Sequence, residues 1–218
     1  MSTDRYRKWN RWLKRIEREQ LHDLLVNRHI FKQLQECTAP YAGKYHGVGL
    51  FDWMVQNYVA FASTAIRRIT ERPKVRWSSI SLRILLEDLA DNDSVLTRQR
   101  FKSLYRNSVA LRFADRDFNG IARSQSASHI TASRIRRDIN AITRICAPVE
   151  RLTNKVVAHT EADRRKVGKI KYDQIDEAID LIEVAFQRYS LLICGSICNP
   201  LVPLDDFDVR PELKKIWA

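Results

Sequence analysis

Glycine and proline are scarce in this chain, with six of each among 218 residues, and runs of Val, Ile and Thr alternating with polar residues are few. Turn-rich β architectures need both features, so their shortage argues against a sandwich or barrel and for an all-α protein. Long hydrophobic runs are missing as well. The most apolar stretch, 48–66, is interrupted by Asp52, Gln56 and Asn57. A buried helix of a soluble bundle tolerates such groups far better than lipid does, so no membrane partner is expected. The first twenty residues, MSTDRYRKWNRWLKRIEREQ, lack the apolar core of a signal peptide, and a cytoplasmic protein is expected. Cysteine is sparse: Cys37, Cys146, Cys194 and Cys198 read as reduced thiols. No histidine neighbours Cys194 or Cys198, and His22 and His29 stand too far apart along one helix to build a metal site. Neither a metal nor a cofactor is expected, since a Gly-rich phosphate loop, His-Glu-x-x-His and a recognisable Ser-His-Asp context are all absent.

Acid is the remaining shortage. Asp+Glu number 26 against 38 Lys+Arg, leaving a formal charge of +12. Such a surplus favours a polyanionic partner. Arginine outnumbers lysine by 26 to 12, and the guanidinium fork grips phosphate oxygens in pairs, which makes nucleic acid the expected class.

The length suits one domain, 1–218, without internal repeats or a linker. A basic first helix is expected over 3–36, within an N-terminal element 1–36, where Trp9, Trp12, Leu13, Ile16, Leu21, Leu24, Leu25 and Phe31 recur at helical spacing. Pro40, Gly43 and Gly47 mark a loop, and the core bundle is expected over 48–195. Its helices are placed at 48–70, from Ser79 or Ser81 to the DNDS break, at 95–105, at 130–159 and at 173–193, the last ended by Gly195. Pro148 is expected to kink the 130–159 helix or to divide it at Ala147. The segment 107–128 shows no sustained period and is expected to be irregular. The tail, 199–218, has three prolines and is expected to run extended over the surface.

The run TNKVVAHTEADRRK sets His159 at the end of an apolar turn, with an amide and an ammonium group before it and an arginine pair after. A neutral imidazole can take the proton from an RNA 2′-hydroxyl, and a nearby guanidinium can stabilise the charge growing on the phosphate, so the chemistry needs no metal. The plainer reading is a histidine whose positive form favours the carbonyl end of a helix.

NKVVAHTEAD, followed by a basic loop and YDQIDEAIDLIEVAFQRYSLLICG, resembles the HEPN superfamily, especially its abortive-infection-like branch. NYVAFASTAIRRI and SSISLRILLEDLADN are similar to the helices that precede the motif in such proteins. The resemblance spans roughly 52–195. It implies a small helical bundle that dimerises along its motif helices, with many members acting as metal-independent endoribonucleases in toxin, phage-defence or RNA-processing systems. A homodimer, RNA and a cognate antitoxin are the partners it implies. Other members have lost the catalytic residues and serve as binding modules.

The family motif places an arginine ahead of the histidine with four to six residues between them, and here the permitted positions hold Asn154, Thr153 and Leu152. Arg151 stands one position too far, about 12 Å from His159 along a straight helix. His159, Arg151, Lys155 and Asn154 are the catalytic candidates, and a partner-chain arginine is the other source of the phosphate-side charge. Two further arginine–histidine pairs have the motif spacing, Arg15 with His22 and Arg123 with His129. About two such matches are expected by chance in so arginine-rich a chain, and neither has the Ala-His context.

Basic clusters extend the pattern. Arg134, Arg136 and Arg137 open the motif helix, and Arg164, Arg165, Lys166, Lys169 and Lys171 follow His159, making these eight the nucleic-acid-binding candidates. Residues 1–18 carry seven basic and two acidic side chains. The expected function is an RNA-binding, HEPN-like protein and candidate endoribonuclease. A catalytically inactive HEPN-like dimerisation module is the alternative, and a regulator that binds nucleic acid through its first helix is a third reading. Trp9 and Trp12 can stack on bases, although aromatics at helical spacing more often fill a core.

Overall fold

A computed structural model of the chain describes residues 2–41, 49–71, 79–105, 108–153, 171–196, 201 and 204–217. These residues are helical, with no strand among them.

The first helix, α1 (Ser2–Ile16), turns Tyr6, Trp9, Leu13 and Ile16 inward and keeps Arg5, Arg7, Arg11, Lys14 and Arg15 outside. At regular spacing the next inward position would fall on Gln20. A single π turn, Glu17–Leu21, adds a residue at that point and brings Leu21 inward instead. Helix α2 (His22–Thr38) then continues the stripe with Leu24, Leu25, Phe31 and Leu34.

Helix α3 (Gly49–Thr70) buries Tyr58, Ala62, Ile66 and Ile69. Ser81 caps α4 (Leu82–Ala90) by accepting from the Ile84 N–H at 3.2 Å, and Thr97 caps the short α5 (Arg98–Lys102) in the same way. Helix α6 (Ser108–Ala122) follows, then α7 (Ala132–Leu152), capped by Thr131. Helix α8 (Tyr172–Cys194) ends at Gly195, whose φ of 72° lies in the left-handed region. A Cβ there would come within 2.7 Å of the Leu104 Cβ, so both backbone angle and space require glycine. The last helix is α9 (Arg210–Trp217).

The central element is α7, which packs on α3, α4 and α8. Helix α1 packs on α4 and α8, while α2 packs on α3 and α9. Ile135, Ile139, Ile142, Cys146 and Val149 form the buried side of α7. Full burial of an Ile or Val of this kind is worth about 1.5–3 kcal/mol.

Three expectations need correction. The segment 107–128 is mostly helix: α6 buries Ala114, Phe118 and Ile121, too few inward residues to show as a period. The Arg98 guanidinium clamps the turn after it, donating to Asp115, Asn119 and the Gln125 carbonyl while its Nε reaches the Ala127 carbonyl. The tail is not extended over its last residues, because α9 docks on α2 with Leu213 buried and the Val209 N–H donating to Gln33 Oε1 at 2.7 Å. Of the two outcomes expected at Pro148, the division does not occur, because α7 continues through the half-buried proline to Leu152.

Trp9 is wholly buried, and its indole N–H donates to the buried Asp88 carboxylate at 2.6 Å; Lys8 reaches the same oxygen at 3.0 Å. That places Trp9 in the core and removes it from base stacking.

A second carboxylate, 12% exposed, fixes α7. Asp138 accepts from Arg134 on its own helix at 2.6 Å, and from Arg188 at 2.7 Å and the Tyr189 hydroxyl at 3.0 Å on α8. Arg134 also donates through Nε to the Ile121 carbonyl at the end of α6. Burial alone would raise the Asp138 pKa, yet the Arg134 hydrogen bond and the two guanidinium charges outweigh it and hold the carboxyl below its usual value.

Removing Asp138 leaves Arg134 charged and buried. Asp138→Ala is expected to cost about 3–5 kcal/mol in urea unfolding at pH 7. Because the folded pKa is depressed, the carboxylate's contribution is present above its ordinary value of about 3.9 and fades as pH falls through the folded one. The gap between wild type and Asp138→Ala should therefore narrow below about pH 4; a gap that widens in acid would contradict the assignment.

Candidate nucleic-acid interface

The outward side of α7 is built from residues opposite its buried stripe. Arg137, Arg144 and Arg151 recur every seven residues and are all exposed. Seven residues are nearly two turns, so the three fall on one face, about 10 Å apart along the axis. Asn140 lies between the first two on the same face, and Arg136 is exposed one position along from Arg137.

No acid interrupts this row. The two acids of α7 face elsewhere: Asp138 turns toward α8, and Glu150 accepts from the Thr70 hydroxyl of α3 at 2.7 Å. Among the described residues, Arg136, Arg137 and Arg144 have no ion-pair partner, and Arg151 only donates to the Ala147 carbonyl of its own helix at 3.3 Å. Four guanidinium groups without carboxylates are chemically suited to phosphate, which each can grip bidentately.

The sequence-level candidates separate accordingly. Arg136, Arg137 and Arg151 stand on this face. Arg134 does not: it is 3% exposed, its Nη1 and Nε donate to Asp138 and to the Ile121 carbonyl, and its Nη2 is buried, so it serves the fold and is withdrawn as a phosphate contact. Lys171 is exposed at the start of α8, where its backbone N–H donates to Gln174 Oε1 at 3.0 Å. Asn154, Lys155, His159, Arg164, Arg165, Lys166 and Lys169 lie outside the described residues. Arg144 was missed by the reading of clusters, because it is isolated in sequence. Its seven-residue spacing from Arg137 and Arg151 was the available signal.

The two chance motif matches do not form sites. Arg15 pairs with Glu19 and His22 with Asp23, with the π turn between them. Arg123 follows α6 with φ 53°, and His129 sits in a lone bridge with Thr97, so no shared helix face joins them. A broad depression beside that bridge is lined by Arg98 and Lys102 together with Ser94, Ser128 and His129. Its cations are committed, since both Arg98 and Lys102 bind Asp115.

A further basic face lies on α1 and the π turn after it, where Arg7, Arg11, Lys14 and Arg18 point outward. Arg7 approaches Asp4 and Arg18 approaches Glu19, while Arg11 and Lys14 have no ion-pair partner among the described residues. Among those residues no His/Cys/Asp/Glu cluster is arranged to hold a metal, and no helix is long and apolar enough to cross a membrane. Cys37, Cys146 and Cys194 are free thiols.

Comparisons with family models, curated proteins and solved structures find no match for this chain.

The contrast between neighbouring arginines is measurable. Arg137→Ala combined with Arg144→Ala should leave thermal stability within about 0.5 kcal/mol of wild type, as for ordinary surface changes. Arg134→Met should cost about 2–3 kcal/mol by stranding part of the Asp138 network. Equal effects from the two variants would show that the outward row carries structural load.

Proposed function

We propose that this chain is an RNA-binding protein that grips a phosphate backbone with the outward row of α7, and that it is a HEPN-like endoribonuclease acting through His159. The observation that carries the binding reading is the row itself: Arg137, Arg144 and Arg151 on one face, with no carboxylate on it. The cleavage reading rests on the resemblance around NKVVAH and on the fact that the same arginine-bearing helix leads into that segment.

In the proposed reaction His159 takes the proton of a ribose 2′-hydroxyl, whose oxygen attacks the adjacent phosphorus. The bond to the 5′-oxygen of the next nucleotide breaks, leaving a 2′,3′-cyclic phosphate and a 5′-hydroxyl once that oxygen is protonated. Arg151, Lys155 or an arginine of a second copy would meet the charge on the phosphate, with Asn154 orienting the imidazole or the phosphate. The sequence lacks the family's motif arginine, so the charge must come from one of these.

A second reading has its own support. On α3, Leu50 and Trp53 are exposed on one face, Trp53 by 60%, which suits a HEPN-like module that packs against a second copy without cutting RNA.

Purified protein is incubated with mixed cellular RNA in EDTA beside His159→Ala. Fragments ending in 2′,3′-cyclic phosphate are expected from the wild type and should disappear in the variant. RNA binding without cleavage would favour the binding module, and cleavage equal in both proteins would remove His159 as the catalyst. Binding has a separate test in its salt dependence. For a single strand, each neutralised phosphate contributes about 0.7 to the slope of log K against log salt, so losing Arg137 and Arg144 should flatten the slope by about 1.4.

A further inference from the structure

The π turn does more than re-phase the first helix. It leaves Gln20 at the edge of a groove between this turn and α3, with a volume of about 380 Å³ and walls that include Glu19, Gln20, Asp23, Asn57, Phe61 and Arg68. A volume of this order falls at the lower end of small-ligand sites.

The polar atoms of the groove are unevenly distributed. Gln20 donates its amide N–H to the Ile80 carbonyl at 2.7 Å, and its Oε1 is buried with no donor. Asn57 spends one of its two amide N–H groups on the Trp53 carbonyl, which leaves the other N–H as a donor and Oδ1 as an acceptor. Asp23 receives only the His22 ring on Oδ1. The Gln20 Oε1 is closed off from the groove, so the Asp23 carboxylate is its least engaged open acceptor, and a guest that supplies paired N–H donors is favoured there.

Cations stand around those acceptors. Arg18 and Arg15 hydrogen-bond to Glu19, neutralise it and hold its carboxyl below the usual range. Arg68 is exposed and has no ion-pair partner among the described residues. Phe61 adds a ring that is 38% exposed, a surface on which a planar group can stack. Donor-seeking atoms, an open ring and surrounding cations fit one unstacked nucleotide, with its base in the groove and its phosphates toward the arginines.

The donor count selects the base. On its Watson–Crick edge guanine offers N1–H and the N2 amino group, whereas uracil offers one N–H and adenine or cytosine a single amino group. Guanine is the best match to the Asp23 carboxylate, which can receive its two adjacent donors together.

We propose that this groove is a guanine-binding subsite of the RNA interface, a specificity element that rests on the RNA-binding reading above. Asp23 and the Asn57 Oδ1 accept from the base edge, Phe61 stacks on its face, and Arg68 meets the adjoining phosphate.

Fluorescence anisotropy of the full chain with short labelled single-stranded RNAs tests it. One oligonucleotide carries a single guanosine in a uridine background, and its counterpart carries inosine, which lacks only the N2 amino group. The guanosine oligonucleotide should bind about tenfold more tightly than the inosine one, as for loss of a hydrogen bond to a charged acceptor. That preference should shrink to about twofold or less in Asp23→Asn, and Phe61→Ala should weaken guanosine binding about tenfold. Equal binding of both oligonucleotides, with the salt dependence of the α7 row intact, would overturn the guanine subsite alone. No binding of any RNA would overturn the subsite and the RNA-binding reading together.

Discussion

The Asp138 carboxylate is the constraint on which the rest of this molecule depends. Apolar burial has no direction, and the Ile-rich side of α7 could slide or rotate somewhat against α3, α4 and α8 at modest cost. A half-buried carboxylate held by Arg134, Arg188 and Tyr189 cannot, because each donor must remain at hydrogen-bond distance. Once Arg134 and Asp138 are committed to the flank facing α8, the angular position of every other residue on α7 follows. Arg137, Arg144 and Arg151 are outward for that reason, and the same network ties the end of α6 to α7 through the Ile121 carbonyl.

The parts of the fold that could be read from sequence are those where one physical signal repeats. Ile135, Ile139, Ile142, Cys146 and Val149 announce α7, and Gly195 announces the end of α8. Helix α6 escaped because only Ala114, Phe118 and Ile121 turn inward, a pattern too short to stand above its polar surroundings. Helix α9 was hidden by proline: Pro211 occupies its first turn, where the missing N–H breaks no helical bond. The π turn left a trace that went unused, since Ile16 and Leu21 are five residues apart with Gln20 at the position a regular helix would bury. The candidate site was only partly legible. Three adjacent arginines, Arg134, Arg136 and Arg137, look alike in sequence, and only the tertiary position of Asp138 and Arg188 decides which of them turns inward.

That distinction changes how the charge of the whole chain should be weighed. Arg28 binds Asp180 and Glu183, Arg188 binds Asp138, and Arg98 holds the turn after α6. These groups stabilise the fold and are not available to a polyanion. A net charge of +12 therefore exaggerates the binding surface, while the absence of acid from one helical face describes it better. The two outward basic faces, on α1 and α7, belong to helices that each pack on α4 and α8, so they are framed by the same scaffold.

On the proposed reading, binding and chemistry come from separable parts of one helical segment. The arginines of α7 act through charge and spacing, which a phosphate backbone satisfies whatever its sequence. The histidine acts on one ribose, and its effect depends on a cation placed against the scissile phosphate. A chain that lost the family's motif arginine would lose chemistry first and keep its grip on RNA. It would then need another source of discrimination, because phosphate contacts alone do not distinguish sequences. An acceptor-lined groove beside the π turn is where such discrimination can arise without help from His159, since a base can be read by hydrogen bonds and stacking whether or not its backbone is cut.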